Sequence, residues 1–204
     1  MKNIFLTSSF ADVVDFFVEH EKENIKGKTV TFIPTASLPE EVTFYVEAGK
    51  EALEGLGLMV DVLEISTAKH DEITRKINNN DYIYITGGNT FFLLQELKRS
   101  GADKLIIEQI NAGKTYIGES AGSIVLAPNI EYVTEMDDVS AAPDIESYEA
   151  LNVIDFYPVP HYADFPFEEV SEVIVSKYKE TLNICPFSNH QMIFVEGDNV
   201  RIKG

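Results

Sequence analysis

The chain has 204 residues, of which 45% are apolar and 25% are charged, as is typical of a soluble globular protein. Its 34 acidic and 16 basic residues give a formal net charge of −18. Nucleic-acid phosphates are held by clustered Lys and Arg, so this charge argues against nucleic acid as a partner. At this length we expect one domain over residues 1–204, with a sizeable buried core.

The amino-terminal apolar run is short and broken by polar residues, and no later run approaches the length of a membrane span. We therefore expect no secretory signal and no membrane partner. The single cysteine, Cys185, rules out an internal disulfide and fits a reducing, cytoplasmic location. Its neighbours "NICPF" are typical of a buried strand end, and none of them would lower the thiol pKa enough to make a nucleophile.

Strand-like apolar runs alternate with amphipathic helical stretches through the first two thirds of the chain. Strands are predicted at 3–7, 28–34, 58–65, 81–86 and 115–119, and helices at 11–24, 39–57, 70–79, 89–99 and 102–112. The order predicts an α/β fold with a doubly wound, mostly parallel sheet and helices on both faces. The last third is predicted as short strands within 152–162, 183–189, 191–197 and 200–203, with a hairpin turn at 197–199.

Two glycine-containing motifs follow predicted strands, where α/β folds place their ligands. In "YITGGNTFFLL" (84–94), Gly87 and Gly88 allow backbone N–H groups to approach a ligand, and Asn89 or Thr90 suits a helix N-cap. A turn that only connects strand to helix explains the same residues. The second motif, "GESAG" (118–122), puts Ser120 between a strand and a helix-compatible run, as a nucleophile elbow does.

A serine nucleophile needs a base, usually histidine, and an acid that orients the base. His20 is expected on a solvated helical face and His70 at a helix start, whereas His161 follows an apolar strand and comes after the serine. His190 is the second candidate for the base. Spacing does not choose among the candidate acids, which are Glu131, Glu135, Asp137, Asp138, Asp144, Glu146, Glu149, Asp155 and Asp164.

The motifs "FIPTAS" (32–37), "YITGGNTFFLL", "GESAGSIVLAP" (118–128) and "VPHY" (159–162) together resemble the peptidase E family of serine dipeptidases, which is related to cyanophycinase. The resemblance implies a sandwich similar to class I glutamine amidotransferases and flavodoxin. It also implies the site residues: Ser120 as nucleophile, His161 as general base, Glu135 as the acid, and the N–H groups of Gly88 and Ala121 as the oxyanion hole.

Three positions depart from the family pattern. Glu135 stands where well-known members carry Asp, and Asp137 or Asp138 is the alternative acid. Glu119 precedes the serine where an aromatic residue is common. The segment after His161 lacks the arginines that hold an aspartate side chain in the family, leaving Lys177, Lys179 or Arg201 as possible cations.

From these residues we expect a serine peptidase of short peptides that forms an acyl-enzyme and uses no cofactor or metal. Amino-terminal aspartate preference is one expectation for its specificity. The chain is expected to be a monomer or small homo-oligomer. Another serine hydrolase of cyanophycinase, esterase or amidase type, or an inactive binding homologue, is the alternative. A metallohydrolase based on His161 and Asp164 has only two of the ligands it needs.

Overall fold

The computed structural model describes residues 1–21 and 25–204. Its central sheet has seven strands, numbered in chain order, which lie side by side as β3 (Met59–Val62), β2 (Thr29–Ile33), β4 (Tyr82–Ile85), β5 (Thr115–Glu119), β1 (Asn3–Thr7), β8 (Met192–Glu196) and β9 (Asn199–Lys203). The five strands from β3 to β1 are parallel, and β8 and β9 run antiparallel to their neighbours. The predicted mostly parallel α/β sheet is confirmed.

In the described residues, seven α-helices pack on the two faces of this sheet. On one face α1 (Phe10–His20) and α2 (Phe44–Gly55) bury their apolar stripes against strand residues such as Phe5 and Tyr84. The other face is covered by α3 (His70–Asn79), α4 (Thr90–Ser100), α5 (Ala102–Asn111), α6 (Ala121–Ile124) and α7 (Glu168–Tyr178). Because strands β4, β5 and β1 are buried on both sides, they need the continuous apolar runs seen in the sequence.

A second, two-stranded parallel sheet lies beside the main one and consists of β6 (Tyr157–Val159) and β7 (Ile184–Pro186). Its register pairs Val159 with Pro186. The two strands therefore end side by side, and the residues that follow them leave the small sheet at the same edge.

Strand register brings the carboxyl ends of the central strands together as well. Ile85 of β4 pairs with Gly118 of β5, and Thr7 of β1 pairs with Glu119 of β5. The loops after β4, β5 and β1 consequently begin at one edge of the sheet. In an open α/β sheet this edge is where ligands bind.

Two helix predictions differ from the structure. The helix predicted over 39–57 begins only at Phe44, because Thr43 before it has a non-helical backbone (φ −132°, ψ 15°) and only residues 38 and 39 of the preceding stretch form a turn. The helix α7 was not predicted, and its residue Ile174 is buried in the core that distant segments form. The end of the helix predicted over 11–24 lies partly outside the described residues.

The remaining strands and helices lie within a few residues of their predicted positions, and the hairpin between β8 and β9 turns at Gly197, whose φ is +62°. Across residues 1–21 and 25–204, no helix combines the length and the apolar character that a bilayer span requires.

Candidate active site

Ser120 occupies a sharp turn between the end of β5 and the start of α6. Its φ of +49° and ψ of −107° lie in a region that non-glycine residues rarely adopt and that costs on the order of 1–3 kcal/mol. The turn is held by the Ser120 N–H, which donates to the Thr7 carbonyl at 2.8 Å. Ser120 remains partly exposed although both of its chain neighbours are buried. The turn thus presents one hydroxyl at the edge of the sheet.

The two glycines of the "GESAG" motif are required by close backbone approach. A Cβ on Gly118 would lie 2.5 Å from the Gly122 carbonyl oxygen, and a Cβ on Gly122 would lie 2.3 Å from the Ile85 carbonyl oxygen. Both distances are shorter than real Cβ contacts. The small residues therefore let α6 start directly against β4 and β5 and fix the position of Ser120.

His161 faces Ser120 across the edge of the sheet. Its Nε2 lies 2.9 Å from Ser120 Oγ, which is hydrogen-bonding distance. The residue has a positive φ of +59°, and its backbone N–H donates to Ser8 Oγ at 2.9 Å. The Phe167 ring stacks on the imidazole with 4.7 Å between ring centroids. Backbone and ring contacts together restrict the imidazole to one orientation.

The other imidazole nitrogen contacts an amide and not a carboxylate. His161 Nδ1 lies 2.7 Å from Asn189 Oδ1, and the Asn189 backbone N–H donates to Asp164 Oδ2 at 2.5 Å. With Oδ1 as acceptor, Nδ1 carries the proton and Nε2 offers its lone pair to Ser120. Burial lowers the pKa of His161 below its ordinary value of 6.5, while the Asn189 hydrogen bond and the charge of Asp164 oppose that shift. The imidazole is therefore neutral at pH 7.

The structure does not bring Glu135 to His161. Glu135 lies opposite Lys177 of α7, with 2.7 Å between its carboxylate and the ammonium, and about half of each side chain is exposed. Glu135 lies two residues after the short 3₁₀ helix Glu131–Val133, and its ion pair with Lys177 lies at the surface. The two alternative acids are engaged elsewhere: Asp137 accepts from the Thr90 N–H at 2.8 Å, and Asp138 accepts from the Ser140 N–H at 2.8 Å.

The glycines after β4 lie directly against the Ser120 turn. A Cβ on Gly87 would be 3.2 Å from Ser120 Cβ, and a Cβ on Gly88 would be 2.2 Å from the Ala36 carbonyl oxygen. Gly88 has a φ of +128°, which favours glycine. Neither the Gly88 N–H nor the Ala121 N–H donates a hydrogen bond to another group in the described part of the chain. Within the described residues, the N–H groups that follow Ser120 and Gly87 in the chain thus have no acceptor, and Gly87 packs on Ser120.

The predicted N-cap of the following helix is also present. The Asn89 side chain accepts from the Phe92 N–H at 2.9 Å, and its amide donates to the Asp138 carbonyl at 2.9 Å. The cap connects the glycine loop to the segment around Asp138. The loop is therefore held from both the helix side and the Ala36 side.

Glu119 points away from the exposed side of Ser120 and into the protein. It is only 3% exposed, and its carboxylate accepts hydrogen bonds from the Phe10 N–H at 3.0 Å and the Tyr84 hydroxyl at 2.9 Å. Burial raises its pKa from 4.5 to about 7, against the lowering effect of these hydrogen bonds. Its charge is directed toward α1 and not toward the open side of the serine.

The ionisable side chains around the glycine loop are mostly acidic. Burial raises the pKa of Asp137 to about 6, and Glu40, whose own pKa is raised by burial and by Asp138, adds to that shift. The Tyr45 ring lies 3.6 Å from the position that a Cβ on Gly87 would occupy. Burial raises the pKa of Tyr45, and the negative charges of Glu40, Glu119 and Asp137 add to that shift. Of the three cations suggested by the sequence, Lys177 is paired with Glu135 and Arg201 with Glu196, whereas Lys179 is exposed at the end of α7.

His190, His20 and Cys185 lie apart from the contact between His161 and Ser120. His190 is exposed, and His20 pairs with Glu196 at 3.2 Å while packing on Phe194. Cys185 lies in β7, and burial raises the pKa of its thiol. Within the described ranges, no three His, Cys, Asp or Glu side chains are grouped so that they could hold a metal ion.

The sequence interpretation missed Asn189. Only the pairing of β6 with β7 relates Asn189 to His161. His161 is two residues beyond Val159 of β6, and Asn189 is three residues beyond Pro186 of β7. Since those two end residues are paired, the side chains that follow them meet. Without the parallel β6–β7 pairing, an asparagine in "FSNHQ" has no distinguishing pattern.

A doubly wound α/β sheet with a strained serine in contact with a histidine at its carboxyl edge is the architecture of a serine hydrolase. The model for peptidase family S51 matches residues 4–203, and the chain belongs to that family. It is accordingly a serine-type peptidase.

Relatives agree with this assignment. "Uncharacterized peptidase Lmo0363" of Listeria monocytogenes serovar 1/2a (strain ATCC BAA-679 / EGD-e) is 59% identical over 203 residues, covering 100% of this chain and 98% of that protein. Peptidase E of Shewanella amazonensis (strain ATCC BAA-1098 / SB2B) is 35% identical over 136 residues, covering 66% of this chain and 54% of that protein.

Solved structures give the same fold. A crystal structure of a protein from Listeria monocytogenes EGD-e that carries the provisional name peptidase E superposes with a TM-score of 0.96 at 59% identity, covering 100% of this chain and 98% of that one. A peptidase from an acI-B1 Actinobacterium superposes with a TM-score of 0.71 at 18% identity, covering 100% of this chain and 88% of that one, and shares the fold.

Proposed function

We propose that this chain hydrolyses short peptides, with Ser120 as nucleophile, His161 as general base and Asn189 as the group that orients the base. The observation that carries the proposal is the 2.9 Å contact between His161 Nε2 and Ser120 Oγ. A neutral imidazole at this distance can accept the hydroxyl proton as the oxygen attacks a carbonyl. The proposed acid Glu135 is replaced by Asn189, because Asn189 makes the Nδ1 contact that Glu135 lacks.

The developing oxyanion would be stabilised by the N–H groups of Gly88 and Ala121. Support comes from their position beside Ser120 and from the absence of another acceptor for them within the described residues. Removal of one such donor typically costs about 3 kcal/mol of transition-state stabilisation. The close packing of Gly87 on Ser120 supports this arrangement, because Gly88 is the next residue in the chain.

The reaction follows from these positions. Ser120 Oγ attacks the peptide carbonyl carbon while His161 Nε2 takes the hydroxyl proton, and the carbonyl oxygen becomes the oxyanion. His161 then gives the proton to the leaving amine, which departs and leaves an acyl-serine. A water molecule, deprotonated by His161, attacks the acyl carbon, and Ser120 regains its proton as the acid product leaves.

Substrate charge is proposed from the acidic surroundings of the site. Glu40 and Asp137 lie near the glycine loop, and the chain as a whole carries −18. The cations Lys177 and Arg201 are already paired with glutamates, and Lys179 lies exposed at the end of α7. A desolvated aspartate side chain needs a cation or several donors, so we propose a preference for peptides whose amino-terminal residue is neutral or cationic.

The test is hydrolysis of a panel of Xaa-Leu dipeptides by the wild type and by Ser120→Ala. We expect cleavage of Gly-, Ala- and Lys-Leu, weaker cleavage of Asp-Leu, and loss of all activity in the variant. Exclusive cleavage of Asp-Leu would overturn the proposed charge preference but keep the nucleophile. Cleavage of β-linked aspartyl peptides or of a small ester alone would identify a different serine hydrolase. Unchanged cleavage by Ser120→Ala would reject the mechanism.

A further inference from the structure

Asp164 is a partly buried carboxylate beside the site that the proposed reaction does not use. It lies in the loop between β6 and α7, three residues after His161. Its Oδ2 accepts from the Asn189 backbone N–H at 2.5 Å, and Asn189 Oδ1 lies 2.7 Å from His161 Nδ1. The line of contacts that begins at Ser120 therefore runs through the base and its orienting amide and ends at a carboxylate.

The backbone of Asp164 shapes the base loop, which we define as residues 161–167. Its N–H donates to the His161 carbonyl at 3.0 Å, and its carbonyl accepts from the Phe167 N–H at 2.7 Å. Phe167 is the residue whose ring stacks on the imidazole. These two hydrogen bonds fold the base loop back on itself, and the Asp164 side chain is directed at Asn189.

The segment after β7, which carries Asn189, is attached to the base loop by main chain and by this carboxylate. The Tyr162 N–H donates to the Phe187 carbonyl at 3.1 Å, two residues before Asn189. In the described part of the chain, the acceptor of the Asn189 N–H is Asp164. The Asn189 backbone and its Oδ1 belong to the same short side chain and peptide, so a shift of that peptide moves Oδ1 away from the imidazole.

Asp164 also carries the negative charge that the direct partner of His161 lacks. Asn189 is neutral, so it orients the ring without balancing the cation that forms when the ring takes the serine proton. In the described part of the chain no Lys or Arg forms an ion pair with Asp164, and its charge raises the pKa of His161. The groups that touch the imidazole from other elements are uncharged, namely the Ser120 hydroxyl, the Phe167 ring and the Asn189 amide.

We propose that Asp164 is a positioning residue: its carboxylate holds the Asn189 peptide so that Oδ1 meets His161 Nδ1, and it supplies the negative charge that stabilises the protonated ring. The role rests on the proposed function, because it acts through His161. No proton moves along this line, since Oδ1 only accepts from the ring and the Asn189 N–H only donates to the carboxylate. An acid one residue removed from the ring thereby replaces the acid that contacts the ring in a Ser-His-Asp triad.

The test measures kcat/KM on the best dipeptide of the panel between pH 5 and pH 9. Asp164→Asn keeps an oxygen for the Asn189 N–H and removes the charge, so kcat/KM at pH 8 should fall by about 5- to 30-fold. The acid limb of its profile should move to lower pH, because His161 loses the charge that raises its pKa.

A double variant, Asp164→Asn with Asn189→Asp, moves the charge into direct contact with the ring and leaves the net charge unchanged. It should recover kcat/KM to within about 3-fold of the wild type and return the acid limb to higher pH. The matched control is Glu169→Gln, which removes an exposed charge from the first turn of α7 and should keep the wild-type kcat/KM and acid limb.

A second readout follows His161 without turnover. The Cε1–H resonance of its ring reports the imidazole pKa, which should be lower in Asp164→Asn than in the wild type and higher again in the double variant. Wild-type kcat/KM with an unmoved acid limb in Asp164→Asn would overturn the proposal. A loss that the double variant does not recover, with His161 titrating as in the wild type, would also overturn it and leave Asp164 a purely structural residue. If the wild type cleaves no peptide, the proposed function fails, and this is distinct from an unchanged His161 titration in Asp164→Asn.

Discussion

The contact between His161 and Asn189 leads to a prediction that separates Asn189 from Glu135. Asn189→Ala removes the acceptor 2.7 Å from His161 Nδ1 and leaves the backbone N–H that donates to Asp164. Glu135→Ala removes an exposed partner of Lys177 and serves as the matched control, since it deletes the acid that the sequence suggested.

The magnitude follows from the charge that develops on the imidazole. In the transition state His161 carries the serine proton, so Asn189 Oδ1 accepts from a cationic ring, and a hydrogen bond to a charged group contributes about 1.5–3 kcal/mol. At about 1.4 kcal/mol per tenfold, kcat/KM of Asn189→Ala should fall by about 10- to 150-fold. The exposed ion pair contributes at most about 1 kcal/mol to stability, so kcat/KM of Glu135→Ala should stay within about 2-fold.

The assay is kcat/KM on the best dipeptide of the panel at pH 8, together with circular dichroism to show that each variant is folded. A loss in Glu135→Ala as large as that in Asn189→Ala would refute the assignment of the orienting group. Wild-type kcat/KM in Asn189→Ala would refute the idea that Nδ1 needs an acceptor. Asn189→Asp adds a negative charge beside the ring, which raises the pKa of His161, so the acid limb of its kcat/KM profile should move to higher pH.

Three further outcomes are expected. The folded-state pKa of Glu119, about 7, exceeds its ordinary 4.5, so its contribution to stability is complete below pH 4.5 and is lost as pH rises through 7. Urea unfolding should therefore show that wild type loses about 3 kcal/mol more than Glu119→Gln between pH 4.5 and pH 8. Gly88→Ala, with its Cβ 2.2 Å from the Ala36 oxygen, should lower kcat at least about 100-fold, whereas Gly55→Ala, with open space around it, should keep wild-type kcat. Tyr132→Phe removes the hydroxyl that donates to the Pro158 carbonyl at 2.5 Å and leaves this buried carbonyl without that donor. It should lower the urea-derived free energy of unfolding by about 1–3 kcal/mol.

Sequence patterns located the elements that form from local signals. Continuous apolar runs placed β1, β4 and β5, and helical periodicity placed α3, because those patterns are imposed by burial on two faces or on one stripe. The helix α7 escaped detection, since its β-branched residues favour strands when viewed locally. Its helical form depends on packing against a core formed by distant segments.

The same division holds for the site. Ser120 was recognisable because its turn needs glycines at fixed offsets, and His161 because it follows a strand after the serine. Glu135 was suggested by resemblance alone, and its side chain lies with Lys177. Asn189 is 28 residues from His161 in the chain, and no local pattern relates the two.

By itself the sequence determined the α/β order of elements, the glycine-bounded serine turn and the acidic character of the surface, because each depends on neighbouring residues or on composition. Only the tertiary structure decided which side chain meets His161 Nδ1 and where the Glu119 carboxylate points. Those contacts depend on strand pairing between β6 and β7 and on the meeting of β5 with α1 and β4. Such pairings are set by the packing of the whole chain, so they are invisible at any single stretch of sequence.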